Sequence, residues 1–587
     1  MNLVFDIEAD GLEPTVIFCI VAIDADTQEV YSFDNTQIRE GCEFLSTATK
    51  LIGHNIIGYD LPALLKIENL DLSDKKIVDT LVLSRLFDPV REGGHGLEAW
   101  GYRLKFLKGS YGEDNEQAWS SFTPEMLEYC INDVKLNLKV YDRLKFESKG
   151  FSAKSVIIEH EVAKVIHEQR ETGFLIDCQK CMLLLAELND ELNEVKDKVH
   201  EEFKPTVTIQ TLNFKYTKTG EFSRLAVDQD GIGVRLTDKE YAELELYKRP
   251  IERKTFTEFN LGSRKQIGEY LINFGWKPTQ FTPTGQPVVD EITLTSVKDI
   301  PQASMIARYL MLQKRIAQIT SWLKEVKEDN RIHGFVNSNG AITSRMTHSY
   351  PNTAQIPSCS SPYGAECRSC WIVPDGYKLV GIDASGLELR MLAHHMNDKE
   401  YIDEILNGDI HTANQKLAGL ESRNQAKTFV YSVCYGAGDA KVGAVVGGSR
   451  EDGKRLKQRF FASVPAFKAV KDRVSREATK GFIKAIDGRK LTVRSPHSAL
   501  NTLLQGDGAI VMKQALIIFN DKIIKGGYDA KFVANVHDEW QLEVREDIAD
   551  EVGRLGVLSI RETTCALKLN CPLDGEYNVG NNWSETH

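Results

Sequence analysis

Hydrophobic positions recur along this chain with two different periods, and the switch between them marks its organisation. Leu3-Val-Phe-Asp-Ile and Val16-Ile-Phe-Cys-Ile-Val-Ala-Ile are short apolar runs of strand length. Residues 1 to about 150 alternate such runs with helical stretches, which predicts an α/β unit. From about 151 the period becomes helical: Ile157 to Gln169 and Cys181 to Phe203 are long, charged and periodic, as in an extended helical arm. Residues 204–260 break that pattern with Pro205, Pro250, several glycines and β-branched pieces such as Thr206-Val-Thr-Ile, and read as an insertion or tip subdomain. Helical periodicity returns at Ser263 to Phe274 and at Ala303 to Glu328. Beyond about 335, two strand-like runs, Tyr377-Lys-Leu-Val-Gly-Ile and Phe532-Val-Ala-Asn-Val, bracket a mainly helical block from about 411 to 520.

Length adds a count to this picture. The 587 residues allow about three to five domains with ample core, at roughly 150 residues each. The charge balance, 72 basic against 84 acidic residues for a net −12, is unusual for a nucleic-acid binder. Acidic metal sites and an acidic exterior can nevertheless coexist with a basic groove. Lys314, Arg315, Lys324 and Lys327 form a basic stretch suited either to solvent or to phosphate. Eleven cysteines include the pairs Cys178/Cys181 and Cys367/Cys370, whose spacing matches zinc sites, but no histidine cluster accompanies them and small apolar packing is the simpler account. The odd cysteine count suits a reducing compartment. The start lacks a basic n-region, and the longest apolar run, Val16 to Ile23, is too short to span a bilayer, so the chain reads as soluble and intracellular with no membrane partner.

The chemistry concentrates where apolar runs end in acids. Asp383 and Asp538 each follow a buried-strand pattern, and carboxylates delivered in that way suit Mg²⁺, which takes oxygen ligands and keeps positions open for phosphates. Between them, Ser422 and Gln425 make a capping box, and Gly436 and Gly438 are natural helix stops. Arg423, Lys427, Tyr431 and Tyr435 recur every fourth residue on the intervening helix. Such a stripe can hold a triphosphate at its head and stack a base further along; alone, it reads more simply as an amphipathic helix with surface cations. Glu388 lies five residues after Asp383, an odd separation that predicts a turn of the chain before it. In the first unit, Asp6 and Glu8 lie two apart on a predicted strand and face the same side. Asp60 ends His54-Asn-Ile-Ile-Gly-Tyr-Asp, and Tyr129 precedes Asp133 by one helical turn.

Three segments carry a resemblance. G-I-D-A-S-G-L-E-L-R at 381–390, R-N-Q-A-K-T-F-V-Y-S-V-C-Y-G at 423–436 and V-H-D-E at 536–539 resemble, in order, motifs A, B and C of the family A (polymerase I type) DNA polymerases, most closely the replicative enzymes of T-seven-like phages. A-I-T-S-R-M-T-H-S-Y-P-N-T-A-Q-I-P-S, L-N-G-D-I-H-T and D-G-R-K-L-T-V-R-S-P-H-S-A-L-N-T-L-L-Q support the same likeness. The resemblance implies a template-directed polymerase that extends a primer 3′-hydroxyl with dNTPs, using two Mg²⁺ held by Asp383 and Asp538. Arg423, Lys427 and His411 would meet the nucleotide phosphates, and Lys427 would also protonate the leaving group. Glu388 and Tyr431 would select deoxyribonucleotides. Arg345, Gln355, Tyr435, Gln505 and His537 would face DNA, four of them at the primer-template minor groove or primer end. Glu539 stays outside the principal ligands.

D-I-E, then N-x-x-x-x-D, then Y-x-x-x-D resembles the DEDD-type 3′-to-5′ exonucleases. Asp6, Glu8, Asp60 and Asp133 would hold two divalent ions, Mn²⁺ being able to substitute, and Tyr129 would orient the water. I-V-D-T-L-V-L-S-R-L and G-L-E-A-W-G-Y-R-L fit the same proofreading unit. The implied architecture is an α/β and α+β multidomain chain, a ribonuclease H-like DEDD exonuclease followed by a right-hand polymerase. Its expected parts are the exonuclease at 1–150, a thumb at 151–335 with its tip at about 204–260, the palm at 336–410 and 521–587, and fingers at 411–520. Primer-template DNA and dNTPs are the implied partners, with a phage helicase-primase and single-strand-binding protein by analogy, in the cytoplasm of an infected bacterium. Residues 204–260 match no known processivity loop, which leaves a host thioredoxin-type factor doubtful. The competing readings are a 3′-to-5′ exonuclease with a non-polymerising DNA-binding body, opposed by the complete motif residues, and a single-subunit RNA polymerase, opposed by Glu388 and the proofreading unit.

Overall fold

Asn2–Ala9 becomes the central strand of a five-stranded sheet because apolar residues on both its faces find cover: Leu3, Val4, Phe5 and Ile7 are all buried. In this computed structural model, which describes residues 1–112 and 116–587, the strand order is Val30–Phe33, Ile17–Asp24, Asn2–Ala9, Lys50–Gly53, Lys76–Asp79. Asn2–Ala9 pairs antiparallel with Ile17–Asp24 and parallel with Lys50–Gly53. Leu3, Phe5 and Ile7 share one core with Ile20, Leu45 and Leu64. Val4 and its same-face neighbours pack against Met126, Cys130 and Val134 of the helix Pro124–Glu147, so Asp6 and Glu8 point toward that helix.

A second sheet is wholly antiparallel, in the order Ala530–Val536, Glu539–Arg545, Tyr377–Ala384, Gly575–Gly580. The helices Ala499–Gly526 and Ala549–Ala566 cover one face, where Phe519 stacks on Trp540 with ring centroids 5.6 Å apart. Helices begin at Leu387, earlier than the expected 411, and the last of the block runs through Gly526, past 520. Both sheets belong to one compact unit, Met1–Cys178 with Lys324–His587.

Gln179–Leu323 forms the other unit. Within it, residues 204–260 carry a two-stranded ribbon, Thr206–Leu212 with Ile251–Thr257, and a core of their own around Leu212, Ala226, Leu236, Leu244 and Ile251. The helix Asp238–Tyr247 starts at a complete Thr237/Glu240 capping box. The expected basic face shrinks. Arg315 is buried and donates to Gln318 Oε1 at 3.2 Å, because the apolar stripe of Pro301–Glu325 includes its position, and Lys327 lies beyond the helix end, 3.8 Å from Glu13.

Among the described residues no disulfide forms, no helix is long and apolar enough to cross a membrane, and neither C-x-x-C pair joins a group able to hold a metal ion.

Candidate active sites

Four carboxylates converge beside the first sheet. Asp6 and Glu8 project from Asn2–Ala9. Asp60, 2% exposed, opens the helix Asp60–Glu68 and accepts the backbone N–H of Ile7 at 3.1 Å, which ties it to the strand carrying the first two acids. Asp133, also 2% exposed, lies one turn beyond Tyr129 on Pro124–Glu147. Burial first, then the charges of Asp60, Glu8 and Asp133, push the Asp6 carboxyl well above its usual range. Glu8 is likewise raised by burial, then by Cys19 and Asp133, and burial lifts Asp60 to about 7. Asp133 is raised by burial against the opposing pull of Lys108. Such a cluster is uncomfortable without a cation. Asp6, Glu8 and Cys130 place ligand atoms within 4.8 Å of one another, and Asp133 Oδ1 is buried without a hydrogen-bond partner, so the donor set fits divalent metal ions.

One residue of this site had no signal in the sequence. Lys108 Nζ lies 3.0 Å from Asp133 Oδ2 and 5.1 Å from the Tyr129 ring centroid. Burial opposes its charge, but Asp133 and Tyr129 more than compensate and hold it protonated. A lone lysine in a loop carries no pattern; only the fold brings it to the acids.

Asp383 and Asp538 meet at one end of the second sheet. Asp383 is the penultimate residue of Tyr377–Ala384, and Asp538 sits in the tight turn between Ala530–Val536 and Glu539–Arg545. The turn is pinned to the neighbouring strand by the Ala384 N–H donating to the Asp538 carbonyl at 3.1 Å, and His537 takes the left-handed conformation, φ 58°, that the reversal requires. Burial, then Asp538, Glu539 and Glu576, push Asp383 up to about 8. Glu539 is already committed: it accepts from Trp583 Nε1 at 2.6 Å, pairs with His587 at 2.7 Å, and is bonded by Gln541. Burial would raise its pKa, but these partners hold it low.

The raised Asp383 carries a testable pH dependence. With its carboxyl raised to about 8, Asp383 would have to release a proton before holding a divalent ion, so the affinity of an ion held there should rise with pH until about 8 and then level. Calorimetric Mn²⁺ titration at pH 7 in buffers of different ionisation enthalpy should therefore show net proton release that Asp383→Asn diminishes; no dependence on buffer would contradict the arrangement.

The helix Arg423–Cys434 has the expected Ser422/Gln425 capping box, with Tyr435 as its C-cap. Its stripe has partners. Arg423 Nε donates to Asp409 Oδ2 at 2.7 Å, and Lys427 is exposed. Asp409 also caps the helix Ile410–Ala418, placing His411, whose ring is 6.3 Å from Tyr431, and Tyr431 is 6.0 Å from Tyr435. The chain turns through Gly386, φ 60°, into Leu387–Met396, which sets Glu388 against two partners: Tyr435 Oη donates to it at 2.7 Å and Arg345 pairs with it at 3.2 Å. The hydrogen-bonded tyrosine is thus Tyr435, one turn beyond Tyr431. Arg345 and His537 line a cavity of about 20 Å³ together with Lys513 and Asn535. Gln505 is half-buried on Ala499–Gly526, and Gln355 ends the short turn Thr353–Gln355.

The chain is also similar to known proteins. The sequence model of DNA polymerase family A matches residues 235–585. Over its full length the chain is 35% identical to the DNA-directed DNA polymerases of Enterobacteria phage T3 and Escherichia phage T7, covering 100% of each. It is 31% identical to DNA polymerase I of Pseudomonas aeruginosa over 56% of this chain and 39% of that one. Among solved structures, the POL domain of Pol1 from M. smegmatis in complex with DNA primer-template and dNTP superposes with a TM-score of 0.77, covering 100% of this chain and 95% of that one at 18% identity, a likeness of fold.

Proposed function

This chain belongs to DNA polymerase family A, and we propose that it is a DNA-directed DNA polymerase with a 3′-to-5′ proofreading exonuclease, serving phage genome replication in a bacterial cytoplasm. The observation that carries the polymerase reading is the meeting of Asp383 and Asp538 at one sheet end, where burial and the neighbouring Asp538 raise the Asp383 carboxyl. In this reading the sheet of Tyr377–Ala384 is the palm, the helices from about 411 to 520 are the fingers, residues 151–335 are the thumb, and residues 1–150 are a ribonuclease H-like exonuclease.

Bound Mg²⁺ would supply an activated primer 3′-hydroxyl and a neutralised triphosphate. The chain's own residues do the remainder. Asp383 and Asp538 would hold these ions at the end of the sheet, where the reacting phosphate meets them. Lys427, exposed on the stripe, meets the triphosphate and gives a proton to the departing pyrophosphate, and Arg423 reaches the same phosphates by exchanging Asp409 for them. His411 and Tyr431 border the nucleotide. Glu388, held by Arg345 and Tyr435, offers a fixed wall where a 2′-hydroxyl would sit, while His537, Gln355 and Gln505 test the shape of the primer-template pair.

Lys427→Ala should slow single-turnover dNTP incorporation by about a hundredfold, with a smaller change in primer-template affinity; unchanged single-turnover incorporation would remove Lys427 from the mechanism. At the first site, Tyr129 orients the hydrolytic water while Lys108 holds Asp133 and presents positive charge to the scissile phosphate. Lys108→Ala should lower single-strand degradation by about tenfold or more without affecting primer extension. Equal degradation rates for the two proteins would leave Lys108 a structural cation only. Primer extension assayed with dNTPs and rNTPs, with and without Mg²⁺, tests the overall reading.

A further inference from the structure

Two adjacent residues on one helix, Glu159 and His160 of Ala153–Thr172, face opposite neighbours, and both are buried. Glu159 Oε1 accepts Lys513 Nζ at 2.6 Å and also bonds Arg489, which is held in turn by Asp487 at 2.9 Å. All four side chains of this ionic group are buried. Lys513 borders the cavity shared by Arg345 and His537 at the polymerase site. One residue further along, His160 turns toward the first sheet. Its Nδ1 lies 2.8 Å from the Val156 carbonyl and so carries the proton, which leaves Nε2 to accept the Asp79 backbone N–H at 2.9 Å. The Asp79 carboxylate then accepts the N–H groups of Asn55 at 3.0 Å and Ile57 at 3.1 Å, and so shapes the segment that ends in Asp60. The same helix is tied a second time to the polymerase site, where Asn535 Nδ2 donates to Gln169 Oε1 at 2.6 Å.

We infer that this helix couples the two carboxylate sites, with His160 and Asp79 as positioning residues for Asp60 and with Glu159 as the anchor in the polymerase body. The inference rests on reading the two acid clusters as polymerase and exonuclease. A buried ionic group cannot shift one member without uncovering a charge, so the position of Lys513 is transmitted to Glu159 as a rigid constraint. His160 passes that constraint on because a neutral imidazole with one proton has a single orientation that satisfies both its neighbours. Displacement of the Lys513 side of the polymerase site therefore alters the loop that presents Asp60, and a polymerase site disturbed by a misfit primer end would bear on the site that removes it.

The test uses the full chain, reading amide exchange of residues 54–60 by mass spectrometry beside single-strand degradation and single-nucleotide incorporation. His160→Ala should raise exchange at 54–60 and lower the degradation kcat by about tenfold with little change in KM, while incorporation stays within about twofold. His160→Gln, whose amide oxygen can accept the Asp79 N–H, should restore both. Glu159→Gln touches no atom of the loop, yet it should also raise exchange at 54–60. Wild-type exchange and degradation in His160→Ala, or an effect of Glu159→Gln confined to its own partners, would overturn the coupling. Should Glu159→Gln fail to fold, Asn535→Ala, which cuts the helix's second tie, should raise exchange at 54–60 in its place, and unchanged exchange there would overturn the coupling. Should the wild-type chain degrade no single strand, the exonuclease reading falls and the exchange measurements still decide the coupling.

Discussion

Replacing Asp538 by asparagine is expected to abolish primer extension, by about a thousandfold or more, while single-strand degradation continues at the wild-type rate. The magnitude follows from what one lost carboxylate removes. A metal pair contributes several kcal/mol of charge stabilisation, and loss of about 4 kcal/mol corresponds to roughly three powers of ten in rate. Asparagine keeps the size of the side chain, and the turn is held by backbone bonds, chiefly the Ala384 N–H to the Asp538 carbonyl, so the fold should survive. The variant also removes a neighbour that raises Asp383, whose carboxyl should therefore ionise at lower pH. Single-turnover incorporation and the melting temperature, measured together, separate a chemical defect from an unfolded one. Extension within about tenfold of wild type would exclude Asp538 as a shared ligand.

The second large effect concerns the other cluster. Asp6→Ala with Glu8→Ala should eliminate degradation of single-stranded DNA and leave primer extension intact. It should also raise the rate at which mismatched primer ends are extended, because removal no longer competes. This double variant relieves electrostatic strain as well as removing ligands: Asp6 and Glu8 are both raised by burial and by surrounding negative charge, so the metal-free protein should be no less stable without them. Intact degradation would refute the assignment of these acids.

The contrast between the two sites and their surroundings shows what a sequence can disclose. Asp6 and Glu8 were legible because period-two alternation puts both on one strand face, and the Ser422/Gln425 box was legible because its partners are three residues apart. Glu388 was legible as lying beyond a turn, since five residues cannot keep it on the face of Asp383. Its bond to Tyr435 was not, because that contact joins residues 47 apart through the meeting of two helices. Lys108, Arg489 and Lys513 were missed for the same reason. Each has an acidic partner far off in the chain, 25 residues away for Lys108 and Asp133, 330 for Arg489 and Glu159 and 354 for Lys513 and Glu159, and an isolated cation in a loop, hairpin or helix looks like ordinary solvated charge. Arg315 shows the converse error, a helical cation read as surface that packing turned inward. Net charge decided little: the −12 counts acids without saying where they sit, and the fold gathers some of them into two buried clusters.

The most direct test of the central claim is anomalous diffraction from crystals of the full chain with Mn²⁺, primer-template DNA and an unreactive dNTP analogue. The expected result is a pair of Mn²⁺ ions about 3.5–4 Å apart, held by the carboxylates of Asp383 and Asp538 and touching the triphosphate. A well-bound nucleotide with no metal on either aspartate, or with the two aspartates ligating separate, distant ions, would contradict it.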